Sequence, residues 1–453
     1  MTDRLPDDAD TIVARATPAG RGGIAVIRVS GPGTRAVAQR LLGGLPAPRV
    51  ATLTDFMDGA GQALDRGLAL FFPGPNSFTG EDVLECHAHG GPVVCAMLIE
   101  RILTLGARVA NPGEFSRRAF LNDKLDLAQA EAIADLIDSG SRAAARAAQR
   151  SLRGAFSAAI MALDERVTEL RMHVEAAIDF PDEDIDFLED DALRERLQQV
   201  RAEFDRMEAI VHQGCMLRDG VHIVLAGRPN AGKSSLLNAL AGYAAAIVTD
   251  VPGTTRDLVR EQLDLDGLPA HLVDTAGLRA SGGKVELEGI RRTREQLAAA
   301  DHALLIVDAT KAASEQVEDL FDELPAHLGY TVVRNKVDLT REPPGRVDGE
   351  PNWVNVSALT GAGIDALRQH IKTRLGFEDP GEGSVIARQR HLESLRKARL
   401  HFDAGCRQLA EQRAGELMAD ELLQVQNALA EITGEFSSDD LLGRIFASFC
   451  IGK

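Results

Sequence analysis

The sequence predicts a multidomain protein of mixed α/β and α character: an N-terminal α+β domain, a helical bundle, and an α/β domain with a parallel sheet inserted into the bundle. Three observations predict it. Short β-rich runs alternate with Gly/Pro turns from residue 10 to about 118, and apolar residues recur at helical spacing in two stretches far apart in the chain. Between those stretches, strand-like runs alternate with helical ones around a glycine-rich loop. With 453 residues, 45% hydrophobic and 26% charged, there is room for about three domains of ordinary size.

In the first domain, Ile24 to Val29, Leu68 to Phe72 and Asp82 to Cys86 read as strands and Pro92 to Leu105 as its one long helix. From about 124 to 215 the composition turns to Ala, Leu, Arg, Glu and Gln. There Leu163, Val167, Leu170, Val174 and Ala177 trace one face of an amphipathic helix. The same spacing returns at Met418, Leu422, Val425, Leu429 and Ile432, so the two helical stretches are expected to complete one bundle. The run Asp179 to Asp191, eight acidic residues in thirteen, reads as a solvated loop that repels phosphate. Between the helical stretches, Val221 to Ala226, Ala270 to Val273, Ala303 to Val307, Thr331 to Val333 and Trp353 to Val356 read as strands of a parallel sheet with helices on both faces. Asp379 to Ser384 reads as a linker. The expected domains are 1–118 (N-terminal), 119–216 (helical, first part), 217–378 (inserted) and 379–453 (helical, second part).

Composition narrows the function. No run approaches the roughly 18 to 20 apolar residues that span a bilayer, and Met1 to Asp10 is acidic where a secretory signal would be basic, so a cytoplasmic protein without a membrane partner is expected. Cys86, Cys95, Cys215, Cys406 and Cys450 are odd in number and scattered, which indicates reduced thiols and neither a disulfide framework nor a zinc knuckle. Net charge is −18, which argues against a broad basic face for nucleic acid; an RNA partner would need a local patch or another subunit. The 50 basic residues include only eight lysines, hence 42 arginines. A lysine kept in such a chain points to a place where a compact ammonium is needed.

Gly227 to Ser234 matches G-x-x-x-x-G-K-[ST] after a strand and before the apolar helix Leu236 to Leu240. Its glycines let backbone N–H groups wrap a phosphate, Lys233 neutralises the terminal phosphates and Ser234 offers an oxygen to Mg2+. Asn230, Ala231, Gly232, Lys233, Ser234 and Ser235 are thus candidate nucleotide ligands. Asp274-Thr275-Ala276-Gly277 follows a strand and places an acidic group beside the magnesium and an N–H where a γ-phosphate is sensed. Asn335-Lys336-Val337-Asp338 decides the base: the Asp338 carboxylate accepts from guanine N1–H and the exocyclic amine, a donor pair that adenine lacks. Ser357-Ala358-Leu359 offers backbone donors to the guanine oxygen. In this order the motifs resemble the translation-factor-like GTPases. The stretch Thr249, Asp250, Val251, Pro252, Gly253, Thr254 and Thr255 occupies the first switch position, with Thr255 as the second oxygen ligand of Mg2+. After Gly277 comes Leu278, where many GTPases carry a water-orienting Gln. Either hydrolysis is slow, or another residue and an extra cation supply the missing positioning and charge.

Four separated segments carry a closer resemblance: Gly74-Pro-Asn-Ser-Phe-Thr-Gly-Glu-Asp82; Pro112-Gly-Glu-Phe-Ser116 with Phe120-Leu-Asn-Asp-Lys-Leu-Asp126; the Gly227 to Ser235 loop; and the end Cys450-Ile-Gly-Lys453. Together they resemble the MnmE/TrmE family of tRNA modification GTPases, from about residue 10 to the last. The resemblance implies a cytoplasmic homodimer whose N-terminal domain, which also dimerises, is folate-binding-like, followed by a helical domain with an inserted P-loop GTPase domain. With the FAD protein MnmG, in a heterotetramer-type complex, the family adds an aminomethyl or carboxymethylaminomethyl group to carbon 5 of the wobble uridine of certain tRNAs. Arg28, Glu85, Lys124 and Lys453 match the residues that in the family hold 5-formyl-tetrahydrofolate or a related folate. Asn230, with oxygens from Thr249, Val251 and Thr254, matches the family's K+ site. Glu286 matches a glutamate that positions water, and Cys450 is the family's terminal cysteine. The sequence departs from the pattern at Cys86-His87-Ala88, which we read as variation beside the folate pocket. Two other functions compete. A regulatory or ribosome-assembly GTPase would need neither the N-terminal domain nor Cys450, and a folate-dependent methyltransferase would not need the full set of GTPase motifs.

Overall fold

The computed structural model describes residues 10–179, 191–243, 260–274, 300–312, 316–317, 321, 324–326, 328–378, 381, 383–435, 439–450 and 452. Most of the acidic run after Asp179, the first switch with Thr249 to Thr255, Thr275 to Gly277, Glu286 and Lys453 lie outside them. The chain divides into two compact units. One takes the chain up to Ala134 with Leu152–Ala158 and everything from Leu423 on; the other takes Asp135–Ser151 and Ala159–Leu422.

The first unit is built on a six-stranded sheet: β1 (Ile12–Arg15), β2 (Ile24–Ser30), β3 (Thr52–Met57), β4 (Ala63–Phe72), β5 (Val83–His89) and β6 (Arg108–Val109), in the order β3-β4-β5-β2-β1-β6. All pairs are antiparallel except β1 with β6. Helices α1 (Thr34–Leu42) and α2 (Pro92–Thr104) cover one face. Pro92 suits the first helical position because its missing N–H would be unpaired there anyway. The strand alternation is strict: Ala25, Ile27 and Val29 of β2 and Leu84, Cys86 and Ala88 of β5 point into a core with Val37, Leu41, Leu98 and Ile102. Arg28, Glu85 and His87 therefore emerge on the other face. Sequence reading found β2, parts of β4 and β5, and α2, but not β1, β3, β6 or α1. Polar residues such as Asp65 and Arg66 hid the start of β4, where ladder pairing continues regardless of side-chain polarity. Helix α3 (Glu114–Leu121) also lies in this unit. Leu127 and Ala130, from the start of α4 (Leu127–Ile137), form a cluster with Leu442, Ile445 and Phe446 of α12 (Asp439–Ala447) and with Phe449.

The second unit carries a seven-stranded sheet of β7 (Val221–Ala226), β8 (Arg260–Leu265), β9 (Leu268–Asp274), β10 (His302–Asp308), β11 (Gly329–Asn335), β12 (Gly345–Val347) and β13 (Glu350–Asn355). The order is β12-β13-β11-β10-β7-β9-β8. Its five inner strands are parallel, as expected. Each edge adds one antiparallel strand, β8 and β12, that alternation of strand with helix does not announce. Both faces are buried. Ile223 and Leu225 face a cluster with α8 (Lys233–Tyr243) and α9 (Ile364–Arg374), while Val224 and Ala226 face Ala303, Leu305 and Val332.

Helices from either side of this domain pack together. Phe204 of α7 (Asp191–Asp219) lies 5.5 Å from Phe402 of α10 (Gln389–Gln412), and Arg399 Nη1 donates to Asp205 at 2.8 Å. The helical faces read from the sequence are buried on α6 (Ala155–Asp179) and α11 (Gly415–Thr433). The entry into the sheet domain lies against the exit from it. Asp135 receives Arg218 Nε at 2.9 Å and Arg388 Nη2 at 2.8 Å, and Ser151 Oγ exchanges hydrogen bonds with the backbone of Ile386. That adjacency is what an insertion requires.

Candidate functional site

The nucleotide motifs converge because parallel strands bring their C-terminal ends to one edge, where open α/β sheets bind ligands. Register aligns Leu225 with Asp274, Leu305 with Ala226 and Asp308 with Asn335. The loop from Gly227 to Gly232 leaves β7 at this edge and enters α8 at Lys233. Asn230 (φ 64) and Gly232 (φ 97) turn its backbone through left-handed conformations. A Cβ on Gly232 would lie 2.1 Å from Asn335 Nδ2, so only glycine fits there. Lys233 is 7% exposed and its Nζ donates to the carbonyls of Gly227 at 2.7 Å and Arg228 at 3.2 Å, which holds the ammonium inside the loop. Ala231, Ser234 and Ser235 accompany it at the loop-to-helix junction.

The Asn335 to Asp338 motif is braced against the same loop. Asn335 Nδ2 donates to Ala231 O at 3.0 Å, and Lys336 Nζ donates to Asn230 O at 2.9 Å. Val337 and Asp338 form a short 3-10 turn, and Asp338 Oδ1 accepts from Ser357 Oγ at 2.6 Å. Asp338 is exposed. Ala358 N–H donates to Asn335 Oδ1 at 3.0 Å, while Leu359 is 85% exposed. Sequence reasoning missed Asp308. Its carboxylate pairs with Lys336 Nζ at 2.7 Å and accepts from Thr310 N and Oγ1. Burial alone would raise its pKa, but the Lys336 and Thr310 hydrogen bonds outweigh it and hold it down at about 2. The one sequence signal was an acidic residue closing an apolar strand. Asp274 ends β9 at this same edge.

A second constellation lies in the first unit. Antiparallel register sets Arg28 directly opposite Glu85, and their side chains pair at 2.9 Å, each about one-fifth exposed. The guanidinium stands 5.5 Å from the Phe78 ring and 5.7 Å from Phe115, and Arg28 Nη1 reaches Gly452 O at 3.5 Å. A Cβ on Gly452 would lie 2.3 Å from Arg15 O, so the residue before Lys453 is seated against β1. Lys124 is exposed; its Cε lies 3.3 Å from where a Cβ on Gly80 would be, beside the Gly74 to Asp82 loop. His87 Nε2 approaches Glu85 Oε2 at 3.4 Å. Cys86, one residue away, points into the core, where burial pushes its thiol up to about 12. Strand alternation thus separates Cys86 from His87, and no metal-binding cluster occurs among the described residues. Cys450 is exposed, while Cys86, Cys95 and Cys215 are buried. Its carbonyl accepts from Gly113 N at 3.4 Å.

The MnmE helical domain model matches residues 127–450, and the model of the GTP-binding protein TrmE N-terminus matches residues 11–124. Similar solved structures include the FeoB G-domain from Methanococcus jannaschii, 24% identical over 34% of this chain and 98% of that one, TM-score 0.26. A GTP-binding protein from Sulfolobus solfataricus in complex with GDP is 16% identical over 47% and 67%, TM-score 0.26. An Aquifex aeolicus Era variant bound to GDP and AlF4− is 25% identical over 40% and 67%, TM-score 0.25. No helix among the described residues is long and apolar enough to cross a membrane. Because one family model spans most of the chain and the other takes up nearly all that precedes it, the chain belongs to the MnmE/TrmE family of tRNA modification GTPases, enzymes that hydrolyse GTP.

Proposed function

We propose that this chain is a K+-activated GTPase of the cytoplasm. Working as a homodimer with the FAD protein MnmG, it adds an aminomethyl or carboxymethylaminomethyl group to carbon 5 of the wobble uridine of certain tRNAs. The observation that carries the reading is the coexistence, in one chain, of a braced guanine-nucleotide edge and a separate Arg28–Glu85 constellation within the matched N-terminal region. The domain boundaries at 118, 216 and 378 belong to the same proposal.

In this reading Lys233 neutralises the terminal phosphates and Asp338 accepts the guanine donor pair. Ser234 and Thr255 hold Mg2+; Asn230 with Thr249, Val251 and Thr254 hold K+; and the two cations supply positive charge against the phosphates. The loop suits such a load: Gly232 keeps its backbone free of side chain, and the Lys233 ammonium is held inside it. Glu286 positions the attacking water, replacing the Gln absent at Leu278. In the N-terminal domain, Arg28, Glu85, Lys124 and Lys453 hold formyl-tetrahydrofolate or a related folate, Glu85 pairing with the pterin donors and the cations suiting the folate carboxylates. The pair of a half-buried carboxylate and an arginine beside two aromatic rings suits a flat, polar-edged heterocycle. Mass spectrometry of wobble nucleosides from cells lacking the protein tests the function, and unchanged uridine modification would overturn it.

A further inference from the structure

An acidic protein that serves tRNA must offer the phosphates a local cationic surface, and one helix stands out. From Ser139 to Leu163 the sequence holds Arg142, Arg146, Arg150 and Arg153 and no acidic residue, in a chain of net charge −18. Three of these arginines lie on α5 (Arg142–Leu152) at intervals of four, one above another on successive turns, about 6 Å apart along the axis. The opposite face of α5 is fastened to the sheet domain. Ala147 and Ala148 are buried in the cluster with Leu265, Leu268 and Ala270, and Ser141 Oγ, just before the helix, donates to Gly267 O at 3.4 Å. The helix therefore cannot roll to hide its charges.

Several other arginines sit on carboxylates: Arg35 on Asp82, Arg171 on Glu175, Arg206 on Glu203. Arg142 and Arg146 are exposed and make no ion pair among the described residues. Arg150 is half-buried, with its guanidinium on the Ser384 carbonyl. Burial, then the neighbouring Arg146 charge, lowers its pKa, so the charges of the stripe repel one another without a counter-charge. An array of guanidiniums suits phosphate oxygens, which they can bind through paired N–H donors.

We infer that the outward face of α5, formed by Arg142, Arg146 and Arg150, is a contact surface for the phosphate backbone of tRNA. The inference rests on the tRNA-directed activity of the family. Because α5 is seated on the turn between β8 and β9, RNA bound there lies against the hairpin whose second strand ends in Asp274 of the nucleotide site.

Fluorescence anisotropy of the full-length protein with labelled tRNA, across about 50 to 200 mM KCl, tests it. The double variant Arg142→Glu/Arg146→Glu should bind at least about tenfold more weakly. Its plot of log affinity against log salt should be shallower by roughly 1.5, the share of two phosphate contacts. Melting temperature and GTP hydrolysis should stay at wild-type values. Should that variant melt early, Arg142→Gln/Arg146→Gln is read in its place and must show the shallower slope. The pair Arg40→Glu/Arg407→Glu changes net charge equally at two other exposed positions and should leave affinity unchanged. Unaltered affinity and slope in the α5 variants, or equal weakening by the control pair, would overturn the assignment. A wild-type protein that binds no tRNA would overturn it together with the reading on which it rests.

Discussion

Asp338 has one carboxylate oxygen occupied by Ser357 Oγ, which fixes its plane and leaves the other for a base edge. Asp338→Asn replaces an acceptor with a donor there. Preference should therefore move from GTP toward XTP, since the amide no longer offers guanine's two donors a pair of acceptors; competition binding with the two nucleotides checks it. Lys336 illustrates why a lysine persists in an arginine-rich chain. Its single ammonium reaches both Asn230 O and Asp308 Oδ2, a convergence that a planar guanidinium would not reproduce. Asp308 is held at about 2, below its ordinary carboxylate value near 3.8, so the stability from its hydrogen bonds is present above that ordinary value and is lost only as pH falls toward 2.

Elements of the sheet domain carry their own pH dependence. His302 opens β10, 2% exposed, with Nε2 2.8 Å from Thr331 Oγ1. Burial first, then the charges of Arg374 and His370, pushes its imidazole down to about 4. Between the ordinary value of 6.5 and about 4 the unfolded chain binds the proton and the folded one does not, so stability falls as pH drops through that window. His370 on α9 is shifted the same way. Melting temperature should fall from pH 6.5 to 4, and His302→Gln should flatten that slope; an unchanged slope in the variant would count against it. On α7, Gly214 admits the returning chain: a Cβ there would meet Ala387 N at 2.8 Å and Ala387 Cβ at 2.9 Å. Alanine normally stabilises a helix, but here the overlap with backbone dominates. Gly214→Ala should lower stability by about 1 to 3 kcal/mol, read by denaturant unfolding.

At the scale of the whole molecule, the proposed GTPase and modification centres are distant in sequence. Cys450 is exposed and follows α12; it does not join the buried cluster of Leu442, Ile445, Phe446 and Phe449, so an apolar packing role does not account for it. Cys450→Ser should leave GTP hydrolysis intact and abolish wobble modification in cells, because a hydroxyl does not ionise near neutral pH as a thiol does. Glu286→Ala should slow hydrolysis about a hundredfold or more and stall modification with it. Equal loss of GTPase activity in both variants would show that the centres are not separable. Hydrolysis should also run faster in K+ than in Na+ at matched ionic strength, since Leu278 supplies no water-orienting group; equal rates would reject the cation site.

The inner strands of the sheet domain, the loop at Gly227 and the Asn335 to Asp338 motif were legible in the sequence because each is a local matter. A fully buried parallel strand reads as an apolar run, and a phosphate loop needs its glycines and lysine at set spacing. The helical faces of α6 and α11 were legible for the same reason, since 3.6-residue periodicity lies within one segment. Pairing across the chain was not. The Arg28–Glu85 contact follows from the register of β2 on β5, and the Asp308–Lys336 contact from that of β10 on β11, both set by ladder hydrogen bonds that leave no mark in composition. The edge strand β12 escaped because its three residues carry no periodic signal, and β8 because only Leu263 and Leu265 alternate in an otherwise polar run; the cationic face of α5 emerged only once its alanines were seen to be buried. Chemistry held in contiguous residues can be read in order; contacts between residues far apart exist only after folding brings them together.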